Sequence, residues 1–562
     1  MREHYVVQAD NAAGAARFVQ NSGGLVTRSL PIINAVAADL TSRERTALGN
    51  LPSVRVFADR QVKTNTGALA ANLQAISATM TNTQTLKATG ATNSPPLVFM
   101  KSSPAPSSPL LVQATSLHTA GTTGSGITIA MLDTGYSPRK LLDIDHWGSR
   151  ILTTVDVTTS AGGTTVTDGY GHGTQILSAV GSAATDSSGL YYGVAPGANF
   201  VIVRAFDANG AGSYTNVIAG LNWIVTNRTK YNIRVVNLSL GATPQSYYWD
   251  DPLDQAVMKA WQAGIVVVVA AGNSGPTAQT IEVPGNVPYV ITVGAMTDNH
   301  TPYNPADDHL ASFSSTGPTY EGFVKPEIVA PGGHVLAFMP NPSTLSTEIF
   351  GSLPAVDTLF PLSGTSQATA VTSGVVALLL QREPSLSPDD VKCKLIASAA
   401  PAVTSAGTLA YSVFQQGAGL ISALGAINTP ATGCANQGLN IAADLAGTMH
   451  FGGPANRDTS GKFYIMDMTS TTPYAPAISD GYSWSTAFPW GQGFTFSSAY
   501  TWSRAYTWSR AYTWSTAYTW SRTAVWSQAY TWSRSLAWSA SAPPAATMST
   551  QALTAPFPAQ EE

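Results

Sequence analysis

Short apolar runs alternate with helical stretches through the middle of the chain. Each run is long enough for one buried strand, over 127–132, 200–204, 235–240, 265–270 and 290–293. Helices are predicted over 175–181, 217–227, 254–262 and 366–380, with another beginning at Ser387. Continuous apolar strands spaced by helices are typical of a parallel sheet that is covered on both faces. We therefore predict an α/β fold, a doubly wound parallel sheet, over residues 113–430.

The first 62 residues follow a different pattern. Strands are predicted over 5–7, 25–29, 32–38 and 54–58, and helices over 12–20 and 40–51, with Thr41 or Ser42 capping the second helix. The order strand, helix, strand, strand, helix, strand indicates a small ferredoxin-like α+β unit. From the pattern alone, a generic α+β domain of this size is an open alternative.

A stretch of low charge joins the two units. Residues 63–112 are rich in Thr, Ser, Asn, Ala and Pro and predict an extended linker, most clearly at Pro95-Pro96 and over 102–109. A linker between a small and a larger domain is a natural place for proteolytic cleavage. Beyond the α/β region, residues 431–480 form a connecting segment.

A hexapeptide repeat occupies residues 481–540, and residues 541–562 follow it as a tail. Its motif is Ala-Tyr-Thr-Trp-Ser-Arg, and it holds nine of the 13 Trp in the chain. Because the period is even, Tyr, Trp and Arg share one face of an extended segment, which favours β structure over a helix. These side chains suit binding to a glycan, a cell wall or a partner protein. A structural or low-complexity tail is the alternative.

Composition excludes several classes of function. The chain has 562 residues, 11% of them charged, a net charge of −4 and a pI of about 6.1, so no surface for nucleic acid is expected. No uncharged apolar stretch reaches the roughly 18 residues of a membrane span. The start, MREHYVVQAD, lacks the apolar core of a signal peptide. Cys393 and Cys434 are the two cysteines and allow at most one internal disulfide.

Three polar residues stand where a site would form. Asp133 ends a predicted buried strand, His172 lies between two glycines at a helix start, and Ser366 begins another helix. Gly364 is expected to allow a sharp turn before that serine. A strand's carboxyl end lies at the mouth of an α/β sheet, and a helix start offers N–H groups to an oxyanion. Taken one at a time, the three are also explained as a turn residue, an ordinary histidine and an N-cap.

Taken together, the motifs resemble those of the subtilisin-like serine proteases. Three of them come in that family's chain order: Asp133-Thr134-Gly135, Gly171-His172-Gly173-Thr174 and Gly364-Thr365-Ser366. Further matches lie at Ser239-Leu240-Gly241, Ala270-Ala271-Gly272-Asn273, Phe313-Ser314-Ser315, Lys325-Pro326-Glu327, Ala330-Pro331-Gly332 and Gln416-Gly417-Ala418-Gly419. This resemblance covers roughly residues 117–426. Residues 1–62 resemble the inhibitory propeptide of the same family.

The resemblance implies a serine endopeptidase that is made as a zymogen and is secreted or held at the cell surface. Ser366 is then the nucleophile, His172 the base and Asp133 the residue that orients the imidazole. The amide of Asn273 and the backbone N–H of Ser366 would hold the oxyanion. Substrates are expected to be proteins or peptides, and the propeptide is expected to inhibit its own chain. The alternative is a surface adhesion protein on a protease fold, which acts through the aromatic repeat.

The resemblance also places the substrate cleft, where an extended peptide would add as a strand. Its residues are Gly210, Gly212 and Tyr214 on one side, Ser239, Leu240 and Gly241 on the other, and Ala270, Ala271 and Gly272 at the wall of the primary specificity pocket. Small residues at that wall predict a roomy apolar slot. A preference for large apolar or aromatic side chains follows from it.

Some features depart from the family's pattern or are left open by it. Gln367 and Ala370 replace the Met and Pro that usually follow the serine, and residues 333–361 form a longer segment than usual, as for a lid or rim. No cofactor is required by such a mechanism. Structural calcium is common in the family, but no site is assigned, because the candidate carboxylates could equally be solvated: Asp143, Asp145, Asp156 and Asp168.

Overall fold

The computed structural model describes most of the two predicted units. The described residues are 1–64, 107–138, 149–159, 162–299, 301, 307–350, 359–404, 409–457 and 461–466, with the short strands 476–478, 494–495 and 514–515. The described residues do not include the linker from 65 to 106, most of the repeat or the tail. The hypothesis that the repeat binds a glycan, a cell wall or a partner protein therefore concerns residues outside the described part. Among the helices of the described part, none is long and apolar enough to cross a membrane.

The N-terminal unit is a four-stranded antiparallel sheet with two helices packed on it. Its elements are β1 (Glu3–Gln8), α1 (Ala12–Ser22), β2 (Leu25–Leu30), β3 (Ala35–Leu40), α2 (Ser42–Gly49) and β4 (Arg55–Ala58), in the sheet order β2-β3-β1-β4. All six predicted elements are present. Thr41 is the residue that caps α2, in a capping box with Glu44. The predicted start of the third strand at residue 32 is wrong, because a 3₁₀ turn occupies Pro31–Ile33.

A sheet of eight strands forms the centre of the second unit. Its order is β14 (His309–Leu310), β13 (Ile291–Thr297), β12 (Val266–Ala270), β10 (Ile233–Leu238), β6 (Thr128–Asp133), β8 (Asn199–Arg204) and β7 (Ile151–Asp156), and β15 (Ile328–Pro331) also pairs with β13. The pairs are parallel except that of β13 with β14, so the predicted parallel sheet is mixed at one edge. The sequence pattern misses β7, because this edge strand is half-exposed and lacks a continuous apolar run.

The longer helices of the second unit are α5 (His172–Gly181), α6 (Tyr214–Asn227), α7 (Pro252–Gln262), α9 (Thr365–Arg382) and α10 (Pro388–Ser398). Four of them pack in two groups, α5 with α9 and α6 with α7. Shorter helices are α3 (Ser107–Leu111), α4 (Ala114–Thr119), α8 (Thr344–Phe350), α11 (Val413–Gln416), α12 (Ala423–Asn428) and α13 (Ile441–Leu445). The sequence predicts an extended linker through residue 109. The extended part ends earlier than this, because α3 begins at residue 107.

One strand of the N-terminal unit is inserted into the second unit. β5 (Gln61–Thr64) lies between β9 (Ala211–Ser213) and β11 (Leu240–Gly241) in an antiparallel three-stranded sheet. Val62 at its centre is fully buried. The predicted boundary at residue 62 therefore falls inside a strand.

Further strands lie outside the main sheet. They are β16 (Val335–Phe338), β17 (Leu359–Leu362), β18 (Met449–Gly452), β19 (Ala455–Arg457), β20 (Phe463–Met466), β21 (Pro476–Ile478), β22 (Phe494–Thr495) and β23 (Trp514–Ser515). The last two belong to the repeat, and each pairs antiparallel with β18. A disulfide joins Cys393 of α10 to Cys434.

A buried carboxylate ties the connecting segment to the α/β unit. Asp444 accepts hydrogen bonds from Tyr248 Oη at 2.6 Å and Tyr289 Oη at 3.0 Å, and its other oxygen faces His450 Nδ1 at 2.7 Å. Beside this group, Glu321 accepts from the backbone N–H of Tyr248 at 3.0 Å. Burial raises the pKa of Glu321 to about 7.

Replacing Glu321 with glutamine is expected to reduce the pH dependence of stability. The folded state holds the Glu321 proton more tightly than the unfolded chain, whose pKa is near 4.5. The bound proton of Glu321 therefore stabilises the fold fully below pH 4.5, and this stabilisation is lost as the pH rises through 7. Because glutamine keeps the acceptor and cannot ionise, Glu321→Gln should gain about 1–3 kcal/mol relative to the parent between about pH 5 and pH 8. Urea unfolding at both pH values measures this gain, and equal pH profiles would contradict it.

Candidate active site

Three elements bring the predicted catalytic residues to one edge of the main sheet. Asp133 is the last residue of β6, His172 the first residue of α5, and Ser366 the second residue of α9. The carboxyl end of a parallel strand faces the starts of the helices that follow, so the three residues lie on the same side of the sheet. All three side chains are buried.

The aspartate and the histidine form a direct pair. His172 Nδ1 lies 2.7 Å from Asp133 Oδ1, which also accepts from the backbone N–H of Thr134 at 2.7 Å. With Nδ1 turned to the carboxylate, Nε2 is the ring nitrogen that can take a proton. Nε2 has no hydrogen-bond partner within the described part of the chain. This arrangement suits general-base catalysis.

Ser366 is bonded to one wall of the cleft. Its Oγ donates to the carbonyl oxygen of Ser239 at 3.3 Å, and Ser239 Oγ donates to the carbonyl oxygen of Ser366 at 3.1 Å. The alternative of an N-cap is wrong, because Gly364 occupies that position, and Gly364 itself is extended rather than in a sharp turn.

Asn273 is held beside the start of α9. Its Oδ1 accepts from both the backbone N–H and the Oγ1 of Thr365, each at 2.9 Å. These two bonds turn the Oδ1 atom of the Asn273 amide toward Thr365, so the NH₂ group of the amide faces away from Thr365. A donor fixed in this way next to Ser366 is the kind of group that holds an oxyanion.

Asp168 is a site residue that the sequence pattern did not assign. Its Oδ1 accepts from Thr134 Oγ1 at 2.8 Å and from the N–H of Gly171 at 2.7 Å, and its Oδ2 accepts from the N–H and Oγ1 of Thr174 at 2.8 and 2.7 Å. Asp168 thus ties the segment after Asp133 to the start of α5. The expectation of a solvated loop carboxylate is wrong here, and its place four residues before His172 was the available signal.

Of the other three candidate carboxylates, Asp156 is the one that the structure describes. Asp156 is buried and accepts from Thr158 and from Arg204 Nη1 at 3.3 Å. Asp143 and Asp145 lie outside the described residues. Within the described ranges, no group of three or more His, Cys, Asp or Glu side chains is placed to hold a metal ion.

Two buried glutamines join the two catalytic helices. Gln367, next to the serine on α9, donates from Nε2 to Gln175 Oε1 of α5 at 3.0 Å. Gln175 in turn donates to the carbonyl oxygen of Val335 at 3.2 Å. Both side chains are fully buried. Gln367, which stands where the family usually has methionine, therefore has a polar partner on the helix that carries His172.

The glutamine pair is expected to show strong energetic coupling. Gln175→Leu and Gln367→Leu should each lower the free energy of unfolding by about 1–3 kcal/mol, because each leaves a buried amide without its partner. The double variant should lose less than the sum of the two. Urea unfolding of the four proteins, all carrying Ser366→Ala so that no self-digestion occurs, measures the coupling. Strictly additive losses would show that the bond contributes nothing.

The predicted cleft walls flank β5. Val62 pairs with Gly212 and Lys63 with Gly241, while the N–H of Thr64 donates to the carbonyl oxygen of Gly210 at 3.1 Å. Leu240 pairs with Thr64 in the same register. The segments expected to bind an extended peptide thus hold an extended segment of the chain itself.

Tyr214 lies at the far end of this cleft. Its backbone N–H donates to the carbonyl oxygen of Arg60 at 2.9 Å, and its Oη donates to Asp251 Oδ2 at 3.0 Å. Arg60 also donates to Tyr214 Oη and Asp251, and its guanidinium carbon lies 5.0 Å from the tyrosine ring centre. Burial raises the pKa of Tyr214 far above 10. This tyrosine therefore stays neutral and anchors the residue before β5.

The pocket wall differs from the roomy apolar slot predicted for it. Ala270 and Ala271 are buried, but Gly272 backs directly onto polar side chains. A Cβ built on Gly272 would lie 2.7 Å from Glu282 and 2.7 Å from Ser315 Oγ. The polar neighbours of Gly272 are not expected from the small residues of the wall alone, since Glu282 and Ser315 lie in other segments of the chain.

The long segment before the serine packs against the loop that carries His172. β16 and β17 form an antiparallel pair. Tyr170 is buried together with Met339, Leu345, Phe360 and Leu362. The described part of residues 333–361 is therefore a packed rim of the site.

Comparisons with known proteins show the family to which the α/β unit belongs. The model of the subtilase family matches residues 124–419. The serine protease AprX of Bacillus subtilis is 41% identical over 279 residues, which cover 48% of this chain and 60% of that protein. Subtilisin DY of Bacillus licheniformis is 31% identical over 291 residues, 51% of this chain and 89% of that protein.

A solved structure shows the same fold. The crystal structure of fervidolysin from Fervidobacterium pennivorans, described as a keratinolytic enzyme related to subtilisin, matches with a TM-score of 0.56 and 21% identity. The match covers 83% of this chain and 65% of that one. With the family match over more than half of the chain, the identity of the catalytic region is established: the chain belongs to the subtilase family of serine-type endopeptidases.

Proposed function

We propose that this chain hydrolyses peptide bonds as a serine endopeptidase through an Asp133–His172–Ser366 triad. The observation that carries the proposal is the buried 2.7 Å contact between Asp133 and His172 at the sheet edge where Ser366 begins a helix. Membership of the subtilase family supports the same roles. The match to AprX spans 60% of that protein, so the activity of the whole chain is inferred from its own site.

The proposed reaction runs through an acyl-enzyme. Ser366 Oγ attacks the peptide carbonyl carbon while its proton passes to His172 Nε2, and Asp133 stabilises the imidazolium. The oxyanion accepts hydrogen bonds from the Asn273 amide and the N–H of Ser366. Collapse breaks the C–N bond, and His172 gives its proton to the departing amine. Water then attacks the ester by the same proton route and releases the acid.

The N-terminal unit is proposed to keep the enzyme inactive until it is cut. β5 fills the cleft as an added strand, which is the geometry in which an extended peptide binds. Outside the cleft, Gln8 donates to Gln255 at 2.7 Å and the N–H of Ile32 donates to Asn222 at 3.1 Å. These contacts support a propeptide that acts as an inhibitor of its own chain.

Substrates are proposed to be proteins or peptides that replace β5 in the same register.

An extracellular or cell-surface site of action is proposed from the relatives, one of which is the extracellular serine proteinase of a Thermus strain, 35% identical over 286 residues. Every group in the proposed steps is a side chain, a backbone group or water. No cofactor is therefore assigned.

Incubation of the purified full chain tests the proposal. We expect the chain to shorten from its N-terminal side and then to cleave a peptide substrate. A serine-directed fluorophosphonate, added once the N-terminal segment has been released, should block cleavage of the peptide substrate. Cleavage that continues unchanged in the presence of this reagent would contradict a serine mechanism.

A further inference from the structure

The carboxylate of Glu282 lies against the wall of the primary specificity pocket. Its Cγ and Cδ come within 2.7 Å of the position that a Cβ on Gly272 would take. The N–H of Glu282 donates to the carbonyl oxygen of Ala271 at 3.0 Å, and Ser274 Oγ donates to Glu282 Oε1 at 3.0 Å. Bonds to the backbone and to the side chain thus hold this acid beside the wall.

Glycine at position 272 brings the carboxylate close to the reacting groups. Gly272 has a φ of +110°, which residues with a Cβ rarely adopt, and a Cβ would also collide with Glu282. Its N–H donates to Thr365 Oγ1 at 3.2 Å, and Asn273 is bonded to the same threonine. Thr365 directly precedes Ser366. The acid therefore stands on the side of the site where the proposed nucleophile and oxyanion donor meet.

The surroundings of this acid are polar. Ser315 Oγ accepts from the N–H of Ser274 at 3.0 Å, and the N–H of Ser315 donates to the carbonyl oxygen of Gly272 at 3.0 Å. The Glu282 side chain is half-buried. A partly desolvated carboxylate among hydroxyl groups favours a cation and disfavours a large apolar side chain.

We propose that Glu282 selects substrates with a lysine or arginine at the residue whose carbonyl Ser366 attacks. The proposal rests on the proposed function and names its substrate class. The ammonium or guanidinium supplies N–H donors together with a positive charge, and so forms an ion pair with Glu282 that a neutral side chain does not form. The proposed preference for lysine or arginine replaces the preference for apolar or aromatic residues, which was predicted from the small residues of the wall.

Peptides of one sequence that differ only at this residue test the proposal on the unaltered full chain. The series carries arginine, lysine, phenylalanine or citrulline, which has the shape of arginine without its charge. We expect kcat/KM for arginine to exceed that for citrulline by about 10- to 100-fold, as for a hydrogen bond to a charged group. Equal values for arginine and citrulline, or a preference for phenylalanine, would overturn the proposal while leaving the serine protease assignment in place.

A variant of the pocket gives the second test. Glu282→Gln keeps the size of the side chain and an acceptor oxygen, and it should abolish the preference for arginine over citrulline. Ser366-dependent cleavage of the citrulline peptide, at whatever rate the variant retains, shows that the variant is folded. Asp250→Asn is the matched control, because it removes an exposed carboxylate that pairs with Arg55 at 2.7 Å, and it should keep the preference.

Two further outcomes are decisive. A preference for arginine that survives in Glu282→Gln would overturn the role of this residue. If no peptide of the series is cleaved in a Ser366-dependent way, the proposed function fails and the substrate class fails with it.

Discussion

The Ser366→Ala variant is expected to lose peptide hydrolysis by about six orders of magnitude in kcat. That figure is taken from removal of the nucleophile in subtilisin, a relative of this chain. Without Oγ no acyl-enzyme forms, and His172 has no serine proton to accept. Binding and the oxyanion donors can still supply a residual acceleration of about 10³–10⁴ over water. The measurement is kcat of the full chain and of its variant on one internally quenched peptide.

A nearby serine provides the control for this result. Ser363 Oγ accepts from the N–H of His334 at 2.9 Å and lies three residues before Ser366 in the chain. Ser363→Ala should keep kcat within about tenfold of the parent, since it removes one hydrogen bond. The triad is contradicted if Ser366→Ala retains activity in that same range.

The Glu327→Ala variant is expected to lower the free energy of unfolding by about 3–5 kcal/mol. Glu327 Oε1 lies 2.6 Å from Lys325 Nζ and 2.8 Å from Lys392 Nζ, and all three side chains are buried. Its other oxygen accepts from the N–H of Thr292 at 2.8 Å. Removing this one acid leaves two buried ammonium groups without their counter-charge, which accounts for the size of the effect.

The pH dependence of this loss is a second signature. Burial lowers the pKa of Lys325 to about 7, and removal of Glu327 takes away the opposite charge that holds the proton there. The folded variant therefore binds fewer protons than the folded parent, so the loss of stability should grow as the pH falls. Urea unfolding at about pH 6 and pH 9, on proteins that carry Ser366→Ala, measures both values.

An exposed ion pair controls for the general effect of charge removal. Arg55 and Asp250 are nearly half-exposed, at 45% and 44% of their side-chain surface. Asp250→Ala should cost less than about 1 kcal/mol, because water screens such a pair. A loss from Glu327→Ala as small as this would contradict the buried triad of charges.

Local sequence patterns predicted the main sheet and the places of the triad. Buried strands such as β12 consist of continuous apolar runs, and helix starts such as that of α10 carry a capping serine, Ser387. These signals lie within a few residues of one another in the chain. Asp133, His172 and Ser366 each stand next to such a signal, but their assignment as a triad came from the resemblance of the three motifs to those of the subtilisin-like proteases.

Contacts between distant segments could not be read from the sequence in this way. Burial of Asp168, the bond between Gln175 and Gln367, and the approach of Glu282 to Gly272 all depend on tertiary packing. The same holds for β5, whose four residues carry no strong strand pattern and form a strand because two walls of the cleft pair with them. In each case a contact with another segment, which no local pattern reveals, sets the surroundings of the residue.

Identification of the serine that reacts with a fluorophosphonate is the most direct test of the triad. The full chain would be labelled after its N-terminal segment has been released, digested and analysed by mass spectrometry. The account predicts one phosphonylated peptide, with the modification on Ser366. Labelling of another serine, with Ser366 unmodified, would contradict it.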